Sequence, residues 1–175
     1  MNVLRRSDGF TLIEVVIVIV LLGIVSVTVA SRWVGRQEYE VDTLSDQLVT
    51  RLRLIQLRNM NEPDISGATP DARCSWLRVD GYRFGSATTA GTAATCAPPP
   101  AIGSWDSLTM DRGNIVTGQS SVLLQLASGS SQFALHFDRL GRPLGSCQGG
   151  CQITISAGSD QRRVVIEAEG YIHAG

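Results

Sequence analysis

The chain has 175 residues, a formal net charge of -1, 43% hydrophobic residues and 18% charged ones. That length leaves room for one ordinary domain with a buried core beside an N-terminal segment. The near-neutral charge gives no excess pointing to nucleic acid or an anionic surface, and because all 15 basic residues are arginine, a lysine-dependent active site is argued against.

The first nine residues, "MNVLRRSDG", are polar and carry Arg5 and Arg6. Residues 10–30, "FTLIEVVIVIVLLGIVSVTVA", follow as a mostly apolar run. As a helix this run is roughly 32 Å long at about 1.5 Å per residue, enough for a bilayer core. The basic flank is expected to stay on the cytoplasmic side, so the remainder is exported. Two plain readings are a secretory signal cut after the small residues Thr28 and Ala30, and a single-pass anchor. Neither accounts for Glu14. A carboxylate at the centre of a membrane helix costs about 3 kcal/mol on insertion scales, and less near an interface. Nothing else in residues 10–31 neutralises it within the same helix before Arg32. A cut between Gly9 and Phe10 would expose a positive amine one helical turn from Glu14. Among parallel helices, Glu14 of one subunit would then meet the Phe10 amine of its neighbour, a pairing that sets axial register more than it adds stability.

The stretch "G-F-T-L-I-E" ahead of about twenty apolar residues resembles the class III signal of type IV pilins and type II secretion pseudopilins. The resemblance implies cleavage between Gly9 and Phe10 by a prepilin peptidase, N-methylation of Phe10, and an assembly role for Glu14, which matches the family's acid at the fifth mature position. It also implies partners: other pilins or pseudopilins through the N-terminal helix, the peptidase, and an inner-membrane assembly platform with its ATPase. The implied location is the bacterial inner membrane, single-pass with the head in the periplasm, and then a pilus or pseudopilus fibre.

Beyond Ala30 the chain turns polar, with no proline between Phe10 and Pro63. Val41, Leu44, Leu48, Leu52 and Ile55 recur at steps of three and four, one apolar stripe on an amphipathic helix. Gly35 weakens such a helix by about 1 kcal/mol without ending it. The spacing predicts one helix over about residues 10–60, its second half packed on a globular head, as in the family. "ASRW" around residue 30 resembles "APRF" of mannose-sensitive haemagglutinin (MSHA) type pilins, with Ser31 where they carry proline.

Residues 61–73 read as a loop rich in turn formers. "CSWLRVDGYRFG" places two short runs around Asp80-Gly81, a hairpin signal, and "SATTAGTAATCAPPPAIGS" is low-complexity. Strand-like alternation covers 121–127, 132–138, 151–157 and 162–172, with "FDRLGRPLG" as a turn between the second and third. An even number of cysteines behind an export-type N-terminus suggests disulfides. Cys74, Cys96, Cys147 and Cys151 allow three connectivities, of which the sequence-neighbour one is preferred. Zinc is the competing use, but neither pair has C-x-x-C spacing and His136 and His173 keep no metal-binding cadence. The order long helix, hairpin, loop, "F-D-x-x-G-R-P" and closing strands resembles the pseudopilin H and FimT-like minor pilin group. The ending "EAEGYIHAG" is nearer to MSHA-type minor pilins.

No catalytic constellation is found: there is no G-x-S-x-G, and neither histidine has an evident acid partner. His136 falls on the outward side of its strand and is expected to be exposed. Asp138, Glu167 and Glu169 are read as solvated carboxylates before a calcium site. Arg139, Arg142, Arg162 and Arg163 are a weak candidate patch for DNA or another anion. In some FimT-like minor pilins C-terminal basic residues are implicated in DNA capture. Against DNA, removal of residues 1–9 leaves 13 basic and 15 acidic residues, and no aromatics interleave with these arginines.

The expectation is an α+β, pilin-like fold with two disulfides: residues 1–9 a leader peptide, 10–30 a transmembrane and assembly helix, 31–175 the amphipathic helix half and a β-rich periplasmic head. The function expected is that of a non-enzymatic minor pilin of an MSHA-type fibre, with no cofactor and no metal. A type II secretion minor pseudopilin is the nearest alternative. A periplasmic binding or catalytic domain with an ordinary cleaved signal is the alternative of another class.

Overall fold

A computed structural model describes residues 11–61, 73–91, 96 and 115–175, with the side chains of 27–38 and 90 outside the description. The chain divides into two compact units, residues 1–36 and 37–175. One helix, α1 (Leu12–Asn61), contributes to both. Its bounds agree with the helix expected from the proline-free run and the three-and-four spacing.

In the first unit, α1 is built mainly of Val, Ile and Leu, and the β-branched residues among them are indifferent helix formers in water. An apolar surrounding reverses that preference, because the helix alone pairs every backbone group within the segment. Each described side chain from Thr11 to Ser26 is exposed. Among the described residues no helix is long and apolar enough to cross a membrane. The described side chains of the run stop at Ser26, whereas the sequence continues it to Ala30.

Among the described residues, the second unit joins residues 37–61 of α1 to nine strands: β1 (Arg73–Asp80), β2 (Arg83–Ala90), β3 (Ile115–Thr117), β4 (Val122–Leu126), β5 (Gln132–Phe137), β6 (Pro143–Gly145), β7 (Cys151–Ala157), β8 (Asp160–Ile166) and β9 (Ile172–Ala174). They form two antiparallel sheets, in the orders β3-β2-β1-β5-β6 and β4-β7-β8-β9. This is the α+β organisation expected, a long helix on antiparallel sheet. The predicted stripe is its spine: Val41, Leu44, Leu48, Leu52 and Ile55 are all buried in one core with Leu77, Val79, Phe84, Leu124, Phe133, Leu135, Ile153, Ile155 and Val164. Burying each stripe residue contributes roughly 1.5–3 kcal/mol.

Polar side chains fix the helix against both sheets. The Glu40 carboxylate accepts from the Gln119 N–H at 2.7 Å, and Asp42 pairs with Arg162 of β8. Arg53 donates to the Ile172 carbonyl at 2.9 Å. Gln56 donates to the carbonyls of Gly141 at 2.7 Å and Gly170 at 2.8 Å. Asn59, 1% exposed, donates to the carbonyls of Ser75 and Phe137 and accepts from the Ser75 N–H. Pairing of β1 with β5 runs from Leu77 to Asp80, so Ser75 lies beyond it and the Asn59 amide supplies the missing partner.

Several elements differ from the sequence expectation. The β1–β2 hairpin forms, but Asp80 pairs with Arg83 and the turn is Gly81-Tyr82, one residue later than Asp80-Gly81. Gly81 has φ of 61° while no described non-glycine residue has positive φ, the requirement of a II′ turn with glycine first. β2 continues through residues 86–90, which composition assigns to the low-complexity loop. Thr88 and Thr89 are good strand residues when a neighbour is in register. The run 162–172 is two strands, β8 and β9, broken at residues 167–171. β3 and β6, three residues each, are too short to alternate visibly.

The motif "F-D-x-x-G-R-P" is a turn with a specific job. The Asp138 carboxylate accepts from the N–H groups of Leu140 and Arg142 and from the Arg142 guanidinium. Burial alone would raise the Asp138 carboxyl, but these hydrogen bonds and the Arg142 charge together hold it below the usual carboxylate range. The turn delivers Gly141 to Gln56 and against Gly170, which has φ of 93°. A Cβ on Gly170 would stand 1.9 Å from the Gly141 oxygen.

Candidate functional site

The N-terminal site begins at Thr11, the residue before the helix. Its hydroxyl accepts from the Glu14 N–H at 3.3 Å, and its carbonyl accepts from the N–H groups of Glu14 and Val15 at 3.1 and 3.3 Å. Thr11 therefore caps α1, and "T-L-I-E" has the spacing of a capping box. Glu14 is an acid in the first turn, where the helix dipole favours negative charge by about 0.3–1 kcal/mol. Sequence reasoning passed over this local role, although the S/T-x-x-E signal was legible. It explains an acid near a helix start in water. It does not explain one set among Leu12, Ile13, Val15, Val16 and Ile17, all exposed. A helix apolar on every side is made for lipid or for other helices. Gly9 and Phe10, the expected cleavage site, lie outside the described residues.

The description "Prokaryotic N-terminal methylation motif" fits residues 4–30, a span that holds Gly9, Phe10 and Glu14. Residues 4–30 thus carry an N-terminal methylation motif. Among solved structures, the chain is similar to the Pseudomonas aeruginosa (strain PAO1) type IV minor pilin FimU in two crystal forms. In space group P21 the likeness covers 78% of this chain and 89% of that one at 11% identity and a TM-score of 0.48. In space group P65 it covers 77% and 91% at 11% identity and a TM-score of 0.47. No curated protein matches the sequence.

In the second unit, the cysteines pair as Cys74–Cys96 and Cys147–Cys151, and none is free. The first bridge ties residue 96 to β1. The second closes a turn in which Gly149 and Gly150 both take positive φ.

The four arginines do not form one patch. Along β8, Arg162 and Arg163 project to opposite faces, as adjacent strand residues must, and Arg162 is paired with Asp42. Arg142 is paired with Asp138 on the turn that Gln56 holds. Asp42 and Gln56 are fourteen residues apart on α1, about 21 Å along the helix, so these two arginines meet it at well-separated levels. Nor do the three carboxylates converge on a shared ligand. Asp138 is committed to its own turn, the Glu167 carboxylate accepts from His173 Nε2 at 3.3 Å, and Glu169 is exposed. His173 stacks on Tyr171 with ring centroids 5.1 Å apart.

His136 corrects the expectation of exposure. It does lie on the face of its strand away from the main core, but it is 8% exposed. That face carries a second buried cluster, Cys74, Trp76 and Ala87 with Cys96 and Ala134 against it. The His136 ring meets Trp76 with centroids 4.0 Å apart. Alternation identifies the face and is silent on what covers it.

Proposed function

We propose that the chain is a minor pilin subunit of an MSHA-type fibre, made as a prepilin and held in the inner membrane with its head in the periplasm. Prepilin peptidase cuts between Gly9 and Phe10 and methylates Phe10. Glu14 then pairs with the Phe10 amine of a neighbouring subunit as the platform extrudes the fibre. The observation supporting this reading is an acid exposed in the first turn of an all-round apolar helix, inside the methylation motif at residues 4–30. The MSHA subtype draws on "ASRW" and "EAEGYIHAG". The head acts as a structural body, its helix fastened to both sheets and its loops stapled by two disulfides, and pilin-like proteins are non-enzymatic.

Glu14→Gln separates assembly from capping. Glutamine keeps the spacing and reach of a capping box and loses only the charge. Under the proposal the variant inserts in the membrane, but its incorporation into fibres falls at least about tenfold, the lower end of what a close charge pair is worth. Equal incorporation of Glu14→Gln and parent, with a defect only in Glu14→Ala, would leave Glu14 as a cap and overturn the assembly role.

A further inference from the structure

Away from the N-terminal site, Cys74, Cys96 and His136 form a cluster in which the two sulfurs and one ring nitrogen all lie within 4.8 Å of one another. The cluster sits on the outer face of the five-stranded sheet, placed there by β1 and β5. Cys74 is 1% exposed and His136 8%. The His136 Nδ1 is buried and has no hydrogen-bond partner among the described residues. A buried polar nitrogen ordinarily has one. Closure of the bridge leaves two sulfurs that are poor partners for it.

We infer that when the Cys74–Cys96 bridge is open, the two thiolates and the His136 imidazole form a three-ligand site for a thiophilic closed-shell cation, Zn(II) or Cu(I). Thiolate and imidazole are the donors these ions select. With Zn–S near 2.3 Å, tetrahedral zinc holds two sulfurs about 3.8 Å apart. The sulfurs of a disulfide are about 2.05 Å apart, so the side chains need to part by less than about 2 Å. Their Cα atoms, 5.7 Å apart, can stay in place. Trp76 against the ring limits how the imidazole turns. Opening takes two electrons and two protons from a dithiol, which is itself oxidised to its disulfide, and metal binding then displaces the thiol protons. Bridge and metal exclude one another, so the site belongs to the subunit before its bridge closes. A solvent molecule completes tetrahedral zinc, and Cu(I) is satisfied by three ligands. Among the described residues, Cys147 and Cys151 have no third ligand in such a cluster.

The test uses the full chain in detergent, either oxidised or reduced with a dithiol and desalted without air. Each form is titrated with Zn(II) alone and with Cu(I) alone against a chromophoric chelator. The reduced parent should take up one tightly held equivalent and the oxidised parent none. His136→Gln, folded by far-ultraviolet circular dichroism in its oxidised form, should lose at least about tenfold in affinity. The double variant Cys147→Ser/Cys151→Ser should keep the tight equivalent, which tests the site if His136→Gln fails to fold. No tight uptake by the reduced parent, undiminished affinity in folded His136→Gln, or loss of the site in the Cys147/Cys151 variant would overturn the inference.

Discussion

Asn59 is the most informative residue to remove from the head. Its amide accepts from the Ser75 N–H at 2.9 Å and donates to the Ser75 and Phe137 carbonyls at 2.9 and 3.1 Å, joining α1 to the β1 and β5 ends. Asn59→Ala leaves the Ser75 N–H buried without its acceptor, a loss of about 1–3 kcal/mol for an orphaned group. The two carbonyls lose one donor each and add a smaller cost. The better helix propensity of alanine returns about 0.6 kcal/mol. The net expectation is about 2–3 kcal/mol, or roughly 10 °C in the unfolding midpoint for a head of this size. Near-ultraviolet circular dichroism of the detergent-solubilised chain during heating reads that midpoint. Asn61→Ala is the control, since among the described residues Asn61 donates to the Leu57 carbonyl at the exposed end of the same helix, and it should stay within about 0.5 kcal/mol of the parent. Asn59→Asp should be at least as harmful as Asn59→Ala, because a carboxylate would face two carbonyl oxygens. An Asn59→Ala midpoint equal to that of Asn61→Ala would show that the apolar stripe alone docks the helix and would refute the reasoning.

Gly170→Ala should destabilise the head by about 3 kcal/mol or more, because the added carbon meets the Gly141 backbone and sits at positive φ; a midpoint within 2 °C of the parent, roughly 0.5 kcal/mol, would refute that account. Stability should also fall as pH drops below about 6.5. Burial lowers the His136 pKa, partly offset by the Asp138 charge, so the unfolded chain takes up its proton first. The stability from neutral His136 is complete above the ordinary histidine value and is lost as pH falls toward the depressed one. His173 acts with the opposite sign: the Ala174 carbonyl and Glu167 raise its pKa, and its contribution is lost as pH rises through that raised value. Comparing parent with His136→Phe at pH 8 and pH 5 isolates the first effect, and the variant should lose less on acidification. Parallel losses in the two proteins would contradict it.

The helix and its buried stripe were legible because five apolar positions at steps of three and four have one simple solution, a face against a core. β7 was legible to the residue for the same reason, with Ile153, Ile155 and Ala157 alternating inward. Partner choice between strands was not legible. β4 and β5 are joined by a short turn, yet they belong to different sheets, since alternation fixes a face and leaves the neighbour open. The Gln56 and Asn59 contacts were hidden for a related reason, as a polar residue beside an apolar stripe looks the same whether water or a carbonyl receives it. At the N-terminal site the unusual residue, Glu14, stood out at once. Its bond to Thr11 is written in the same four letters, but a cap is common and a carboxylate in an apolar run is rare.

A processed subunit loses its first nine residues. Intact mass of the protein extracted from the membrane of its own host measures that directly. The account predicts a single species that begins at Phe10 and carries one added methyl group on its amine. A mass that retains residues 1–9, or one that begins near Ser31, would contradict it.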